Sequence, residues 1–402
     1  MDNTNGFGPF NGGSNPSRPI FNSKRKMKKL ERKKLITTVS IMVGTCIGAG
    51  VLGIPYIAAQ IGFFAALIYI ILIGLIILAL NLYMGEIALR TKGKHQIPGY
   101  AEKYLGRKGM LLLEFATIFG IYSAIVAYML GMGESLSFLI FNNANYTILI
   151  GILIGLLMAA LLWRGLKALK RYEKIGVGII LLLLLVIFVI FVKDISFSNL
   201  YGFNAASLFL PFGVILFALT SFHAVPEIEI VLHKNEKLMK KALVLGTAIP
   251  IIFYILFAFI VVGVKGMGTP EIATLALGPV FILLGIFTMF TSYLSLGVAL
   301  QDNFKFDERM KRKTAWFLTA IVPIGIFLLT RFFKYFSFIK ILSIGGVIST
   351  GIIAILVLQM VKKAKKQGDR KPEYEMPINW FIIGLLSLIF ILGVVYELVQ
   401  LI

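Results

Sequence analysis

The sequence predicts an all-α membrane protein in which eleven apolar helices cross a lipid bilayer. Hydrophobic residues make up 58% of the 402 residues and charged residues only 15%, whereas a soluble domain has about 25% charged residues. The apolar residues also occur in blocks of about 20, the length that crosses a hydrocarbon layer. Between these blocks, Lys and Arg are concentrated in alternate loops, as expected for a chain that crosses a membrane repeatedly.

A polar segment of residues 1–35, rich in Gly, Asn and Ser with basic residues at its end, precedes the apolar blocks. We expect this segment to be a disordered basic tail on the cytoplasmic side, because it has too few apolar residues to form a core. Residues 36–402 are expected to form a single membrane domain of eleven spans. Their approximate limits are 37–57, 63–89, 110–140, 147–163, 175–193, 206–231, 242–264, 279–303, 314–331, 337–361 and 378–401.

The distribution of basic residues predicts the orientation in the membrane. Of the 40 Lys and Arg residues, 35 lie in the N-terminal segment and every second loop, and five lie in the remaining loops. Because cytoplasmic loops are enriched in Lys and Arg, we expect a cytoplasmic N-terminus and, after eleven spans, a C-terminus outside the cell. The net charge of +21 is then explained by the orientation of the spans in the plasma membrane, because the basic residues lie between the apolar blocks. No nucleic-acid partner is expected.

The first span contains a glycine-rich stretch, GTCIGAGVLGIP at residues 44–55, near the expected centre of the bilayer. A helix broken in lipid survives only where its free backbone groups line a protected cavity. Free amides there can bind a carboxylate, and free carbonyls can bind an ammonium group or a cation. The alternative is close helix packing through small residues. The candidate substrate contacts in this span are Thr45, Cys46, Gly48, Ala49 and Gly50, and the candidate cation contacts are Gly44 and Ile47.

The sixth span is interrupted by the polar stretch FALTSFHAVPE at residues 217–227. Pro226 suits the start of a second half-helix, and Glu227 suits its first turn, where capping alone is an alternative explanation. Thr220, Ser221 and His223 are candidate substrate contacts. An ionisable residue inside a membrane is usually functional, although a neutral His223 imidazole bonded to a free carbonyl is an equally good explanation.

The two interruptions fall in spans one and six, which correspond if the chain consists of two repeats of five spans. Repeat one would cover about 37–193 and repeat two about 206–361, with an extra helix at 378–401. Broken helices at corresponding positions are typical of inverted-repeat transporters that bind their substrate at the bilayer midplane. A zwitterion with α-amino acid geometry fits such a pair of free amides and free carbonyls.

Residues 44–56 resemble the first-span motif of the amino acid/auxin permease family, and AYMLGMGE at 127–134 resembles its third-span pattern. Residues 221–226 and GTAIP at 246–250 also resemble bacterial hydroxy- and aromatic-amino-acid permeases. The resemblance implies the amino acid-polyamine-organocation superfamily and a LeuT-type bundle of five plus five helices with an eleventh. It implies symport of amino acids with Na⁺ or H⁺ and no cofactor. It assigns Gly48, Ala49 and Gly50 to the substrate carboxylate.

The coupling ion stays open at this point. Span eight carries Thr288, Thr291 and Ser292, and in LeuT-type folds hydroxyls of this span help to hold sodium beside first-span carbonyls. The alternative is that each hydroxyl bonds a carbonyl of its own helix. Some proton-coupled relatives of the fold carry a lysine in span five, but here residues 176–192 contain no charge. His223 is therefore the remaining proton candidate, and the hydroxyl cluster favours sodium.

Two other classes of protein are possible. A membrane-embedded enzyme would need a metal site or an activated nucleophile, and the sequence has no such motif, so we do not expect an enzyme. An amino acid sensor that uses the same fold without transport is not excluded by the sequence. The identity of the amino acid and the oligomeric state are also not determined by it.

Overall fold

The computed structural model describes residues 17–163, 166–333 and 337–401, without the side chains of 17–27, 166–174, 333, 397, 398, 400 and 401. The described chain is all-helical. Its α-helices are α1 Ser17–Cys46, α2 Gly50–Ile61, α3 Phe63–Arg90, α4 Ile97–Leu105, α5 Arg107–Phe141, α6 Thr147–Leu162, α7 Leu166–Phe191, α8 Leu210–Leu219, α9 Val225–Leu232, α10 Met239–Lys265, α11 Pro279–Phe306, α12 Arg312–Ala320, α13 Val322–Phe333, α14 Phe338–Gln367 and α15 Trp380–Leu401.

The described ranges contain eight helical segments that are long and apolar enough to cross a membrane. The pair α1 and α2 forms a ninth such element, bent by 55° at the break between its helices. The shorter apolar helices α6 and α15 lie where spans four and eleven were expected. The prediction of a multi-pass, all-α membrane protein is therefore confirmed.

Helix α1 starts earlier than the sequence analysis expected. It begins at Ser17, so residues 17–35 are helical, whereas residues 1–16 of the expected tail lie outside the described ranges. Residues 20–43 contain neither Gly nor Pro, and their many Lys and Arg residues favour helix. The start of the α9–α10 connection also holds this helix, because Lys34 Nζ donates to the His233 carbonyl over 2.6 Å and Glu31 pairs with Lys237 at 2.8 Å.

The centre of the bundle is formed by α5, which packs against α14, α11, α6 and α4. Helix α1 lies against α10, α7 and α11, and α2 lies against α8 and α10. The faces of α3, α6, α7 and α15 that point away from the bundle carry exposed Leu, Ile and Val side chains. Such a surface suits hydrocarbon, where apolar side chains need not be buried against protein.

The short helix α4 links the end of α11 to α9. The Asp307 carboxylate, next to the end of α11, accepts the amides of Gln96 at 3.1 Å and Gly99 at 3.0 Å, which satisfies the first turn of α4. Burial raises the pKa of Asp307 to about 6, although these two bonds act to lower it. The Gln96 side-chain amide donates to Glu227 Oε1 over 2.8 Å, and this bond connects α4 to the second half of the broken sixth span.

Glu86, near the end of α3, is fully buried, and its carboxylate accepts hydrogen bonds from three segments. Its carboxylate accepts Arg90 Nε at 2.9 Å, Lys365 Nζ at 2.8 Å and the Met376 amide at 2.7 Å. Arg90 also pairs with Glu375 at 2.8 Å. These bonds fasten the end of α14 and the segment after it to α3. A buried carboxylate is stable there because it faces two cations and both of its oxygens accept hydrogen bonds.

Replacing Glu86 with Gln is expected to destabilise the protein by about 2 kcal/mol, because the Arg90 and Lys365 cations lose their shared buried partner. The measurement is the apparent melting temperature of the purified protein in detergent. Glu375→Gln is the matched control, since that carboxylate also accepts from Arg90 but its side chain is 61% exposed. This substitution should change the stability by less than about 1 kcal/mol. Equal melting temperatures for the two variants would show that Glu86 does not fasten these segments.

Candidate functional site

The first span is broken between α1, which ends at Cys46, and α2, which begins at Gly50. In the described residues, the amides of Ala49 and Gly50 donate to no backbone carbonyl, and Ala49 provides no side-chain cap for α2. A helix start with free amides is a ready binding site for an anionic group. The break is therefore able to receive a carboxylate from the α2 side.

The carbonyls on the other side of the break are held by two neighbouring helices. Ser292 Oγ on α11 lies 2.6 Å from the Gly44 carbonyl oxygen and 2.9 Å from that of Ile47. Tyr254 on α10 donates its hydroxyl to the Cys46 carbonyl over 2.9 Å. These contacts replace the helical amides that the break removes.

Gly48 is required for this approach. A Cβ at this position would lie only 2.7 Å from Ser292 Oγ and from the Tyr128 hydroxyl. One turn earlier, Thr45 Oγ1 donates to the Ile41 carbonyl over 2.8 Å and lies against Ser295 Oγ of α11. Polar side chains of α11 thus follow the end of α1 up to the break.

The sixth span breaks between α8, which ends at Leu219, and α9, which begins at Val225. Thr220 and Ser221 separate α8 from a short 3₁₀ turn at 222–224, and Pro226 lies in the first turn of α9. Asn81 of α3 donates to Ser221 Oγ over 3.0 Å. A proline cannot donate to the preceding turn, and a side-chain donor holds the irregular segment in place.

The two breaks contact each other. Cys46 Sγ lies 3.4 Å from the Ala218 carbonyl oxygen, and Tyr254 bridges the carbonyls of both residues. A Cβ on Gly50 would meet the Cβ of Ala218. Small residues at 50 and 218 therefore let the two broken spans meet backbone to backbone.

A small cavity lies between the breaks and the central helices. Its free space is about 20 Å³, enough for about one water molecule, so the arrangement is closed. No acidic or basic side chain is among the described residues around it, unless His223 is protonated. The cavity is lined by Thr45, Cys46, Ala49, Gly50, Gly120, Ile121, Ala124, Tyr128, Phe217, Ala218, Thr220, His223, Leu296, Ser349 and Thr350.

Most of the substrate contacts predicted from the sequence line this cavity. Two do not: Gly48 lies behind the break against Ser292, and Ser221 points to Asn81. Tyr128, Tyr254 and the wall formed by α5 and α14 were not predicted from the sequence. Two features of the sequence could have indicated part of this wall. They are the tyrosine within the 127–134 motif and the hydroxyl residues that follow the glycine pair at 345–346 in span ten.

Of the three predicted cation contacts on α11, Ser292 is the one that, among the described residues, contacts the predicted carbonyls of the first span. Thr288 donates instead to the Gly285 carbonyl over 2.9 Å and Thr291 to the Thr288 carbonyl over 3.0 Å, both within α11. Both threonine hydroxyls therefore donate within their own helix, as the alternative explanation expected. Their oxygens keep lone pairs that can still bind a cation.

Comparison with known proteins identifies the family. The profile of the tryptophan/tyrosine permease family matches residues 31–400. The chain belongs to this family. A permease moves its substrate without converting it chemically, so this member is not an enzyme. The match covers every helix that builds the cavity, from α1 to α14.

Three relatives match over most of their length. The chain is 25% identical to glutamine transporter 2 of Aliivibrio fischeri over 86% of this chain and 93% of the relative. It is 23% identical to tyrosine-specific transport system 1 of Haemophilus influenzae, over 84% and 90%. It is 24% identical to the tryptophan-specific transport protein of Haemophilus influenzae, over 90% and 95%.

The family match corrects the resemblance drawn from the sequence. The amino acid/auxin permease family was wrong, because the tryptophan/tyrosine permease family is a different one and matches nearly the whole chain. The misleading motif was the glycine-rich stretch at 44–56. Its glycines leave room for the side chains that approach the broken backbone. The motif therefore indicates a broken first span and does not distinguish between families.

Replacing Gly48 with Ala is expected to destabilise this closed arrangement by about 1–3 kcal/mol, because the added methyl group crowds Ser292 and Tyr128. The measurement is the apparent melting temperature in detergent. Gly178→Ala on α7 is the control, since a Cβ there meets no atom within 4 Å and alanine favours helix. A Gly48→Ala protein as stable as Gly178→Ala would show that the neighbouring side chains move aside without cost.

Proposed function

We propose that this protein is a secondary active transporter that carries amino acids across the plasma membrane. One observation carries the proposal: in a member of a permease family, two broken spans surround a small cavity with free amides on one side and carbonyls on the other. Glutamine, tyrosine and tryptophan, which the relatives' names specify, share the α-amino acid group that this pairing fits.

The backbone of the substrate would bind at the breaks. Its carboxylate would accept the amides of Ala49 and Gly50, where the start of α2 favours negative charge. Its ammonium group would donate to oxygens on the opposite side, such as the Ala218 carbonyl and the Thr45 hydroxyl. Because a zwitterion is costly to bury without partners, both ends of the cavity must be occupied together.

We further propose a LeuT-type fold of two inverted repeats, about 37–193 and 206–361, with an extra helix at 378–401. The breaks at 47–49 and 220–221 support this arrangement, because they occupy corresponding positions in the two halves. Since the cavity is closed, α1–α2 and α8–α9 must move against α5, α11 and α14 to open it on one side at a time.

The proposed coupling ion is sodium. Ser292 Oγ and the Gly44 and Ile47 carbonyls form a group of uncharged oxygen atoms at the first break, and both threonines of α11 lie within about one turn of Ser292. Sodium needs several such ligands, and on binding it would take the place of the single Ser292 hydroxyl hydrogen that now lies between the oxygen and the carbonyls. A proton carried by His223, which lines the cavity, is the alternative.

Purified protein in liposomes is expected to accumulate radiolabelled glutamine, tyrosine or tryptophan when an inward sodium gradient is imposed at fixed pH, and not when a proton gradient is imposed without sodium. Ser292→Ala should weaken the sodium dependence, because it removes the hydroxyl nearest the first-span carbonyls. His223→Gln should keep the sodium dependence, even if its uptake is slower.

Two outcomes would contradict parts of this proposal. Uptake driven by protons alone, and lost in His223→Gln, would replace sodium with the proton. Binding of amino acids without any uptake under either gradient would favour a sensor, and an absence of both binding and uptake would reject the amino acid function.

The proposed orientation places the N-terminus in the cytoplasm and the C-terminus outside, because 35 of 40 basic residues fall on one side of eleven spans. Epitope tags at the two ends should therefore differ in access when intact cells are treated with protease: the C-terminal tag is cut and the N-terminal tag is protected. Permeabilised cells, in which both tags should be cut, are the control. Tags that behave alike in intact cells would mean that the number of spans is even.

A further inference from the structure

The wall of the cavity opposite the first break is formed by α5 and α14. It carries two buried hydroxyls, Ser349 and Thr350, with exposed fractions of 4% and 0%. Facing them on α5 are the small residues Gly120 and Ala124, which leave the hydroxyls accessible from the cavity. Since the amino acid backbone is proposed to bind at the breaks, a substrate side chain would extend towards this wall.

The hydrogen of each hydroxyl is already used. Thr220 Oγ1 donates to the Leu216 carbonyl over 2.7 Å, so its only hydrogen is not available to Thr350. The oxygens of Thr220 and Thr350 are nevertheless 2.8 Å apart, which requires Thr350 to be the donor. Ser349 donates to the Gly345 carbonyl over 2.6 Å. What both side chains can still offer towards the cavity is therefore acceptor lone pairs.

The other side chains around this region do not supply a charge. Ile121, Phe217 and Leu296 are apolar, and no Asp, Glu, Lys or Arg is among the described residues that line the cavity. A charged substrate side chain would be buried there without a counter-ion, which is strongly unfavourable. An apolar side chain would leave the lone pairs of both hydroxyls desolvated and unpaired.

We propose that Ser349 and Thr350 determine specificity by accepting a hydrogen bond from the substrate side chain. The transported amino acids are then those whose uncharged side chain carries an O–H or N–H donor. This inference rests on the proposed function and specifies the substrate class of the same cavity. A site built to bond a substrate donor discriminates strongly against an analogue of equal size that lacks it.

The test in the wild-type protein is competition between donor and non-donor amino acids of similar size. Uptake of whichever of labelled glutamine, tyrosine and tryptophan is fastest serves as the reporter in liposomes. Unlabelled competitors are added in the pairs glutamine and methionine, tyrosine and phenylalanine, and tryptophan and 3-benzothienylalanine. In the pair that contains the transported substrate, the donor is expected to inhibit at a concentration at least about tenfold lower than its partner. Lysine and glutamate should not compete.

Thr350→Val and Ser349→Ala then test the assigned residues. Each is expected to weaken the donor substrate about tenfold while its non-donor partner is unchanged, so that the ratio of their inhibition constants falls. Thr319→Val on α12 is the control, because this threonine is fully buried and its hydroxyl has no partner among the described residues. That variant should keep the wild-type ratio.

Several outcomes would overturn the inference. Equal inhibition by both members of each pair in the wild-type protein would show that the protein does not recognise a donor on the substrate side chain. A loss of uptake in Thr350→Val and Ser349→Ala that affects both members alike would assign the two hydroxyls to helix packing only. If Thr350→Val fails to reach the membrane, Ser349→Ala and the wild-type competition still decide. A complete absence of amino acid binding would instead reject the proposed function, and the specificity inference with it.

Discussion

Backbone carbonyls in the middle of a membrane need hydrogen-bond donors from within the protein. The break in the first span removes the helical donors to the carbonyls of Gly44, Cys46 and Ile47. The one hydroxyl hydrogen of Ser292 serves the neighbouring carbonyls of Gly44 and Ile47. Tyr254 donates to the Cys46 carbonyl. These two side chains come from α11 and α10, so the requirement fixes how closely both helices approach α1. The arrangement of the cavity depends on this substitution, because without it the free carbonyls would be unsatisfied in hydrocarbon.

The same break creates binding capacity on its other side. The amides of Ala49 and Gly50 are free in the described structure, and the sixth span approaches them closely enough that Cys46 reaches the Ala218 carbonyl. Close contact of two interrupted backbones leaves space for about one water molecule. A cavity this small does not hold an amino acid, so in the proposed transport cycle the broken spans would have to separate before the substrate enters.

Polar contacts away from the cavity tie the moving and central parts of the proposed transporter together. Gln96 connects α4 to α9 through Glu227, and Asp307 fixes α4 to the end of α11. Glu86 fastens the end of α14 to α3. The Asp307 and Glu86 carboxylates each accept from several donors, which gives a defined geometry that water cannot easily replace. Movement of the sixth span would therefore displace α4 and the end of α11 or break these bonds.

The sequence by itself determined the membrane class, the places where the first and sixth spans break, and six of the fifteen residues that line the cavity. These features are local: apolar length defines a span, and Gly, Pro and hydroxyl residues interrupt a helix wherever they occur in it. It did not place the start of α1 at Ser17, because the basic segment is compatible with either helix or tail until the contacts of Glu31 and Lys34 are known.

Only the tertiary structure decided which distant side chains complete the cavity. Ser349 and Thr350 line the cavity, and Tyr254 donates to the Cys46 carbonyl beside it. All three lie more than 200 residues from the first break, so their placement depends on the rotation and tilt of α10 and α14. A hydroxyl in a membrane helix can bond its own backbone or a neighbouring helix, and the sequence does not distinguish these states. Thr291 bonds within α11 and Ser292 bonds α1, although they are adjacent, because successive helical residues point about 100° apart.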